Sequence, residues 1–189
     1  YFNLIFLLVR RNFVVFYKQT ILGPLWYIVQ PIINSIVFTF VFTNIAGIAT
    51  NGVPSFLFYL ASTVSWGFFS ASFQEISNTF VANANLFSKV YFPRTVIPIS
   101  IIITSLFQFI TQFIILVIFI IYYSFTFYKI EITLYLLLIP IVVFHISLIS
   151  LAFGLIVSSI TARYRDLSLA LPFVTQIWMF ITPIVYPLN

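Results

Sequence analysis

Long apolar runs, separated by short connections that carry nearly all the charge, set the pattern of this chain. The runs predict five membrane spans, at residues 25–46, 55–80, 96–123, 134–160 and 170–186. The first is long enough for roughly 33 Å of helix, which crosses a hydrocarbon core of about 30 Å. Pro31 lies in its first third and is expected to bend it. Ahead of the spans, residues 1–22 read as an amphipathic helix lying flat in the membrane interface. On a helical wheel Phe2, Ile5, Phe6, Val9, Phe13, Phe16 and Tyr17 share one face, and Asn3, Arg10, Arg11 and Lys18 the other. Leu4, Leu7, Leu8, Val14 and Val15 interrupt the polar face. Gly23 permits a turn and Pro24 begins the next helix.

The connections alternate in character. Residues 47–54 carry no charge and turn at Asn51-Gly52. Residues 81–98, VANANLFSKVYFPRTVIP, are polar by this chain's standards and hold Lys89 and Arg94. Within them Leu86, Phe87, Val90 and Tyr91 fall on one helical face, the spacing of a short docking helix ended by Pro93. Residues 124–133 hold Lys129 and Glu131, which cancel, and residues 161–167, TARYRDL, hold Arg163, Arg165 and Asp166.

Composition fixes the class as all-α integral membrane protein, a single transmembrane domain over residues 1–189. The chain is 62% hydrophobic and 6% charged, whereas a soluble surface needs about a quarter charged residues. It contains no cysteine, hence no disulfide and no thiolate chemistry. The net charge of +5 does not point to nucleic acid, because the basic residues sit between apolar runs. Arg10, Arg11, Lys18, Lys89, Arg94, Arg163 and Arg165 all fall on one side of the five-span layout, which places them and the N-terminus in the cytoplasm. Starting at Tyr1 and stopping at Asn189 straight after a span, the chain is expected to be shortened at both ends.

Candidate chemistry is sparse. The five glycines are isolated and form no phosphate-binding loop. His145, mid-span, has two readings: a proton-relay residue, or a neutral histidine hydrogen-bonded to a neighbouring helix, the second preferred. Glu75 reads as a structural or loop-contact carboxylate near the inner surface in preference to an ion-coupling group. Arg163, Arg165 and Asp166 are either a gate or a topology anchor with a local ion pair. Aromatic residues make up 21% of the chain. Trp26, Tyr27, Tyr122, Tyr123, Tyr128 and Tyr186 sit at the ends of spans as interface belts. Trp66 and Trp178 lie near mid-span, where an indole N–H needs a partner. They are either packing residues or aromatic platforms in a conduit, where a π face suits the C–H surface of a sugar ring.

Four stretches carry a resemblance: FYKQTILGPLWYIVQP at 16–31, NLFSKVYFPR at 85–94, SSITARYRDL at 158–167 and ITPIVYPL at 181–188. In this order they resemble the permease subunit of polysaccharide ABC exporters, which move O-antigen, teichoic acid or capsule chains. The resemblance implies a bacterial cytoplasmic-membrane protein, not itself an enzyme, that pairs with a second copy of itself. ATP and Mg would be bound by a separate ATPase subunit, and a lipid-linked glycan would be threaded through the channel. It implies that residues 81–98 touch the ATPase, with Leu86, Phe87, Lys89, Val90, Tyr91 and Arg94 as the coupling set. Trp66 and Trp178 are then the conduit aromatics, and Arg10, Arg11, Lys18, Arg163, Arg165 and Asp166 a cytoplasmic gate or anchor. The family's sixth span and the short re-entrant segment before it are missing here. A secondary carrier or ion-coupled flippase is the alternative, but His145 is the one ionisable group near mid-membrane and no internal repeat is present. A non-transporting scaffold would not need Gln30, Asn34, Gln108, Gln112 and Gln176 within spans.

Overall fold

A computed structural model describes residues 2–17, 23–50, 52–89, 91–126 and 137–186. Among the described residues the regular structure is all helical: α1 Phe2–Tyr17, α2 Trp26–Phe38, α3 Ser55–Ser77, α4 Thr79–Ala82, α5 Ala84–Lys89, α6 Val96–Thr126, α7 Ile139–Thr161 and α8 Asp166–Ile181. A π-helical turn, Thr39–Ile45, prolongs α2. Trp26–Ile45, Ser55–Ser77, Val96–Phe125 and Ile139–Thr161 are each long and apolar enough to cross a membrane.

The fifth apolar run differs from the expected 170–186. Its helix opens four residues earlier, with Asp166 in the first turn, and stops at Ile181, where Thr182 turns extended ahead of Pro183. Sixteen residues make about 24 Å of helix, short of a full span. An acidic side chain suits the positive end of a helix, which favours the early start, and proline ends it. The second run ends before the expected residue 80, at Asn78, whose side-chain amide donates to the Gln74 carbonyl at 3.1 Å and competes with the helical ladder. Pro140 falls in the first turn of α7, where its missing N–H removes no intrahelical bond.

Helix α3 is the hub, packing against α2, α6, α7 and α8. Each joint uses a different chemistry. Toward α6 it is aliphatic and aromatic, with Leu60, Val64 and Phe68 against Phe109 and Leu116. Toward α2, Ser35 and Thr63 share a hydrogen bond at 3.1 Å. Toward α7, Ser147, Ser150, Gly154, Ser158 and Thr161 recur at helical spacing and are buried. Small residues let two backbones approach where apolar burial drives nothing. Thr161 there donates to the Ser77 carbonyl at 3.0 Å.

Helix α1 packs on α6 through a strip that joins Ile5 and Phe13 of the aromatic face to Leu4 and Leu8 of the other. Leu8 is buried with Ile76, Phe92, Val96, Ile97 and Ile101, and Leu4 and Ile5 pack beside it, while Phe2 and Phe6 stay exposed. Leu4 and Leu8, read as interruptions of the polar face, are thus packing residues. Apolar residues lie all round this helix, so periodicity alone did not choose the strip. Phe13 meets Phe107 edge-on at 5.3 Å, which shows α1 running beside α6 for more than a turn. Gly23, at φ 47°, makes the expected turn between α1 and α2 in a left-handed conformation that glycine adopts without strain.

Candidate functional site

Two regions carry chemistry, one at each end of the bundle. At the end where α3 begins lies a cleft of about 950 Å³ between α3, α6, α7 and α8. Val53, Pro54, Pro183 and Ile184 form its rim, Leu116, Ile120, Ile146 and Ile149 one wall, and Trp66, Phe69 and Trp178 its floor. The two tryptophans singled out from sequence, 112 residues apart in the chain, therefore meet. Their ring centroids are 6.5 Å apart at 76°. Phe69, Phe73 and Phe153 also set their rings nearly perpendicular to Trp178, at 5.4, 6.2 and 6.2 Å. Edge-to-face packing of this kind puts positive ring edges on negative ring faces and holds the floor rigid. Among the described residues neither indole N–H has a hydrogen-bond acceptor.

Phe69 and Phe73 come from the turns of α3 that follow Trp66, so one face of α3 supplies three of these five rings. Gln74, one residue beyond Phe73, donates from Nε2 to the Thr175 hydroxyl of α8 at 2.8 Å. That bond fixes α8 against α3 below the tryptophans. The sequence offered no way to find it, since partners 101 positions apart leave no local signal.

The opposite end collects the basic residues. The terminal part of α3, the connection through α4 and α5, the start of α6 and helix α1 converge on the Leu8–Ile76–Ile97 cluster. Arg10, Arg11, Arg94, Arg163 and Arg165 are exposed. The Arg94 guanidinium lies 6.0 Å from the Phe80 ring and that of Arg163 5.6 Å from Tyr164. Asp166 is exposed at the start of α8 and forms no ion pair with Arg163 or Arg165, so the local pair read from the sequence is absent. Lys18 and Val90 lie outside the described residues, and of Lys89 only the backbone, at the end of α5, is described.

The residues read as one docking face divide into two sets. Leu86 and Phe87 turn inward onto the Leu8 cluster, and Phe87 stacks on Phe92 at 5.5 Å and meets Phe80 at 5.8 Å. Tyr91 points outward and is fully exposed, 103% of its reference surface. Residues 91–93 are not helical and do not continue α5, and that break in helical register separates residues that a helical wheel places together.

His145 also differs from its preferred reading. It is exposed on α7 and has no hydrogen-bond partner among the described residues. Glu75 is exposed near the end of α3 without an ion-pair partner among them.

The fold and its site define a membrane-spanning helical protein with a rigid aromatic cleft at one end and a basic, aromatic-anchored surface at the other. The chain belongs to the ABC-2 type transporter family, whose model matches residues 3–189. It is 28% identical over 191 residues, all of this chain and 70% of the relative, to the O-antigen export system permease protein RfbA of Myxococcus xanthus. Two proteins of the same description from Klebsiella pneumoniae are 24% and 25% identical over 186 residues, 98% of this chain and 69% of each relative. Membership sets aside the secondary carrier and the ion-coupled flippase and makes this chain a membrane component of an ABC transporter.

Proposed function

We propose that this protein is the permease subunit of an ATP-driven exporter that moves a lipid-linked polysaccharide across the bacterial cytoplasmic membrane. One observation carries the reading: the match to the ABC-2 family covers residues 3–189, and relatives covering 98–100% of the chain are O-antigen export permeases. The cleft supports it. Its floor of Trp66 and Trp178 carries two indole donors without acceptors among the described residues, which suits a ring that presents oxygen acceptors beside C–H groups.

In this reading two copies enclose the path, and the N-terminus and the basic end face the cytoplasm. A separate ATPase subunit docks there, around Tyr91 and Arg94. ATP and Mg belong to that subunit, since five isolated glycines give this chain no backbone cradle for phosphate. The permease supplies the conduit and alternates between closed and open states as its partner binds and releases nucleotide.

Deleting the gene for this protein in its host should abolish surface polysaccharide while the lipid-linked chain accumulates inside the cell, and a plasmid copy should restore export. Unchanged surface glycan in the deletion strain would exclude the reading.

A further inference from the structure

Helices α6 and α7 both pack on α3 but touch each other little, which leaves a groove of about 620 Å³ between them. It runs from Ile99 to Ile110 on α6 and from Leu151 to Ile139 on α7, and no residue of α3 lines it. Every lining side chain is apolar except Ser147, whose hydroxyl donates to the Val143 carbonyl at 2.8 Å. The groove therefore offers carbon and no free polar group. From Ile99 to Ile110 the helix rises about 17 Å, close to half of a hydrocarbon core of about 30 Å, so the groove is one leaflet deep. Ile99 lies three residues after Val96, the first of α6, which sets the groove against the basic end.

A cation stands at that end of the seam. Arg94, at the foot of α6, is exposed and pairs with no carboxylate among the described residues. Its guanidinium lies 6.0 Å from the Phe80 ring, and the Phe80 N–H donates to the Ser158 hydroxyl of α7 at 3.3 Å. Arg94 thus reaches from α6 to a ring held against α7, across the line that the groove follows. A guanidinium resting on a ring keeps N–H donors at its edge, in a planar fork that fits a phosphate. Arg10, Arg11, Arg163 and Arg165, exposed at the same end, favour an anionic headgroup over one with an ammonium group.

We propose that this groove binds one anionic phospholipid of the inner leaflet, with an acyl chain between α6 and α7 and its phosphate on Arg94. The choice of leaflet rests on the proposed orientation; the site rests on the groove and its cation. The chain supplies dispersion contacts that the two helices do not give each other. Its headgroup lies three residues from Tyr91 and so borders the surface proposed for the ATPase.

Native mass spectrometry of the full-length permease with its ATPase, extracted in mild detergent, should show one phospholipid retained per permease chain. Phosphatidylglycerol added to the delipidated complex should raise its melting midpoint, and phosphatidylcholine should not. Arg94→Gln should weaken phosphatidylglycerol binding about tenfold, the worth of hydrogen bonds between charged groups, whereas Arg11→Gln on α1 should leave it unchanged. The chain has no cysteine, so Leu148→Cys, on the exposed rim of the groove, takes a bulky maleimide at one place. That adduct should expel the lipid, and the same adduct on Ile177→Cys of α8 should not. If Arg94→Gln fails to assemble, the two adducts decide the question.

A complex that retains no phospholipid, or an Arg94→Gln variant that binds it as the parent does, overturns the site. Equal weakening by Arg11→Gln overturns it in favour of diffuse attraction to the basic end. Retention of the cargo's own lipid carrier gives the groove to the substrate, and a Leu148→Cys shielded from the maleimide gives it to another protein segment; both overturn the proposal. No glycan enters these measurements, so failure of the proposed function leaves their outcome standing.

Discussion

Gly154 of α7 lies so close to Ile76 of α3 that a methyl group on it would stand 2.6 Å from the Ile76 Cγ2 and 2.8 Å from its Cβ. Nothing but hydrogen fits there. Ile76 is fully buried, so it has no room to retreat. Gly154→Ala is therefore expected to destabilise the fold by about 1–3 kcal/mol, the usual cost of overpacking. The midpoint of thermal aggregation in detergent checks this, and Ile76→Ala in the same chain should not recover the loss, because alanine keeps the Cβ that stands 2.8 Å from the added methyl. A Gly154→Ala protein as stable as the parent would mean that α3 and α7 pack less tightly than described.

Trp66 and Trp178 should matter for transport more than for folding. Replacing either with alanine is expected to reduce export of a glycan chain at least tenfold in a cell-surface assay, while Phe in either place keeps most of it, because a π face remains. A loss of protein level that matches the loss of export would return both residues to a packing role.

Tyr91 and Phe87 should respond differently. Tyr91→Ala removes an exposed anchor and is expected to weaken association with the ATPase about tenfold, roughly 1.4 kcal/mol, without lowering the melting midpoint. Phe87→Ser removes a ring stacked on Phe92 and is expected to cost about 2 kcal/mol of stability, below the full burial value because the ring is half-buried. Co-purification and thermal scans on both variants separate the two effects. If Tyr91→Ala binds the ATPase normally, the docking point lies elsewhere on the basic end.

Orientation is tested with the same cysteine-free background. Val53→Cys, at the rim of the cleft, should label with an impermeant reagent added outside intact cells, whereas Tyr91→Cys and Tyr164→Cys should label only after the membrane is opened. Outside labelling at position 91 would invert the molecule.

The sequence by itself determined the class, the apolar runs of which four form helices long enough to cross a membrane, and the clustering of charge. These follow from local, additive quantities: a run of apolar residues long enough for a bilayer, and basic residues in alternate connections. It also marked Trp66 and Trp178 as unusual, because an indole in mid-span needs a partner wherever it lies. Only the tertiary structure decided that the two rings meet, that Leu8 packs against α6 while Phe6 stays exposed, that Phe87 turns inward while Tyr91 turns outward, and that His145 lacks the neighbouring-helix bond preferred for it. In a chain this apolar, every helix has several faces able to pack. Periodicity therefore leaves helix rotation undetermined, and hydroxyl and amide contacts such as Ser35 with Thr63 and Gln74 with Thr175 fix it between residues far apart in the chain.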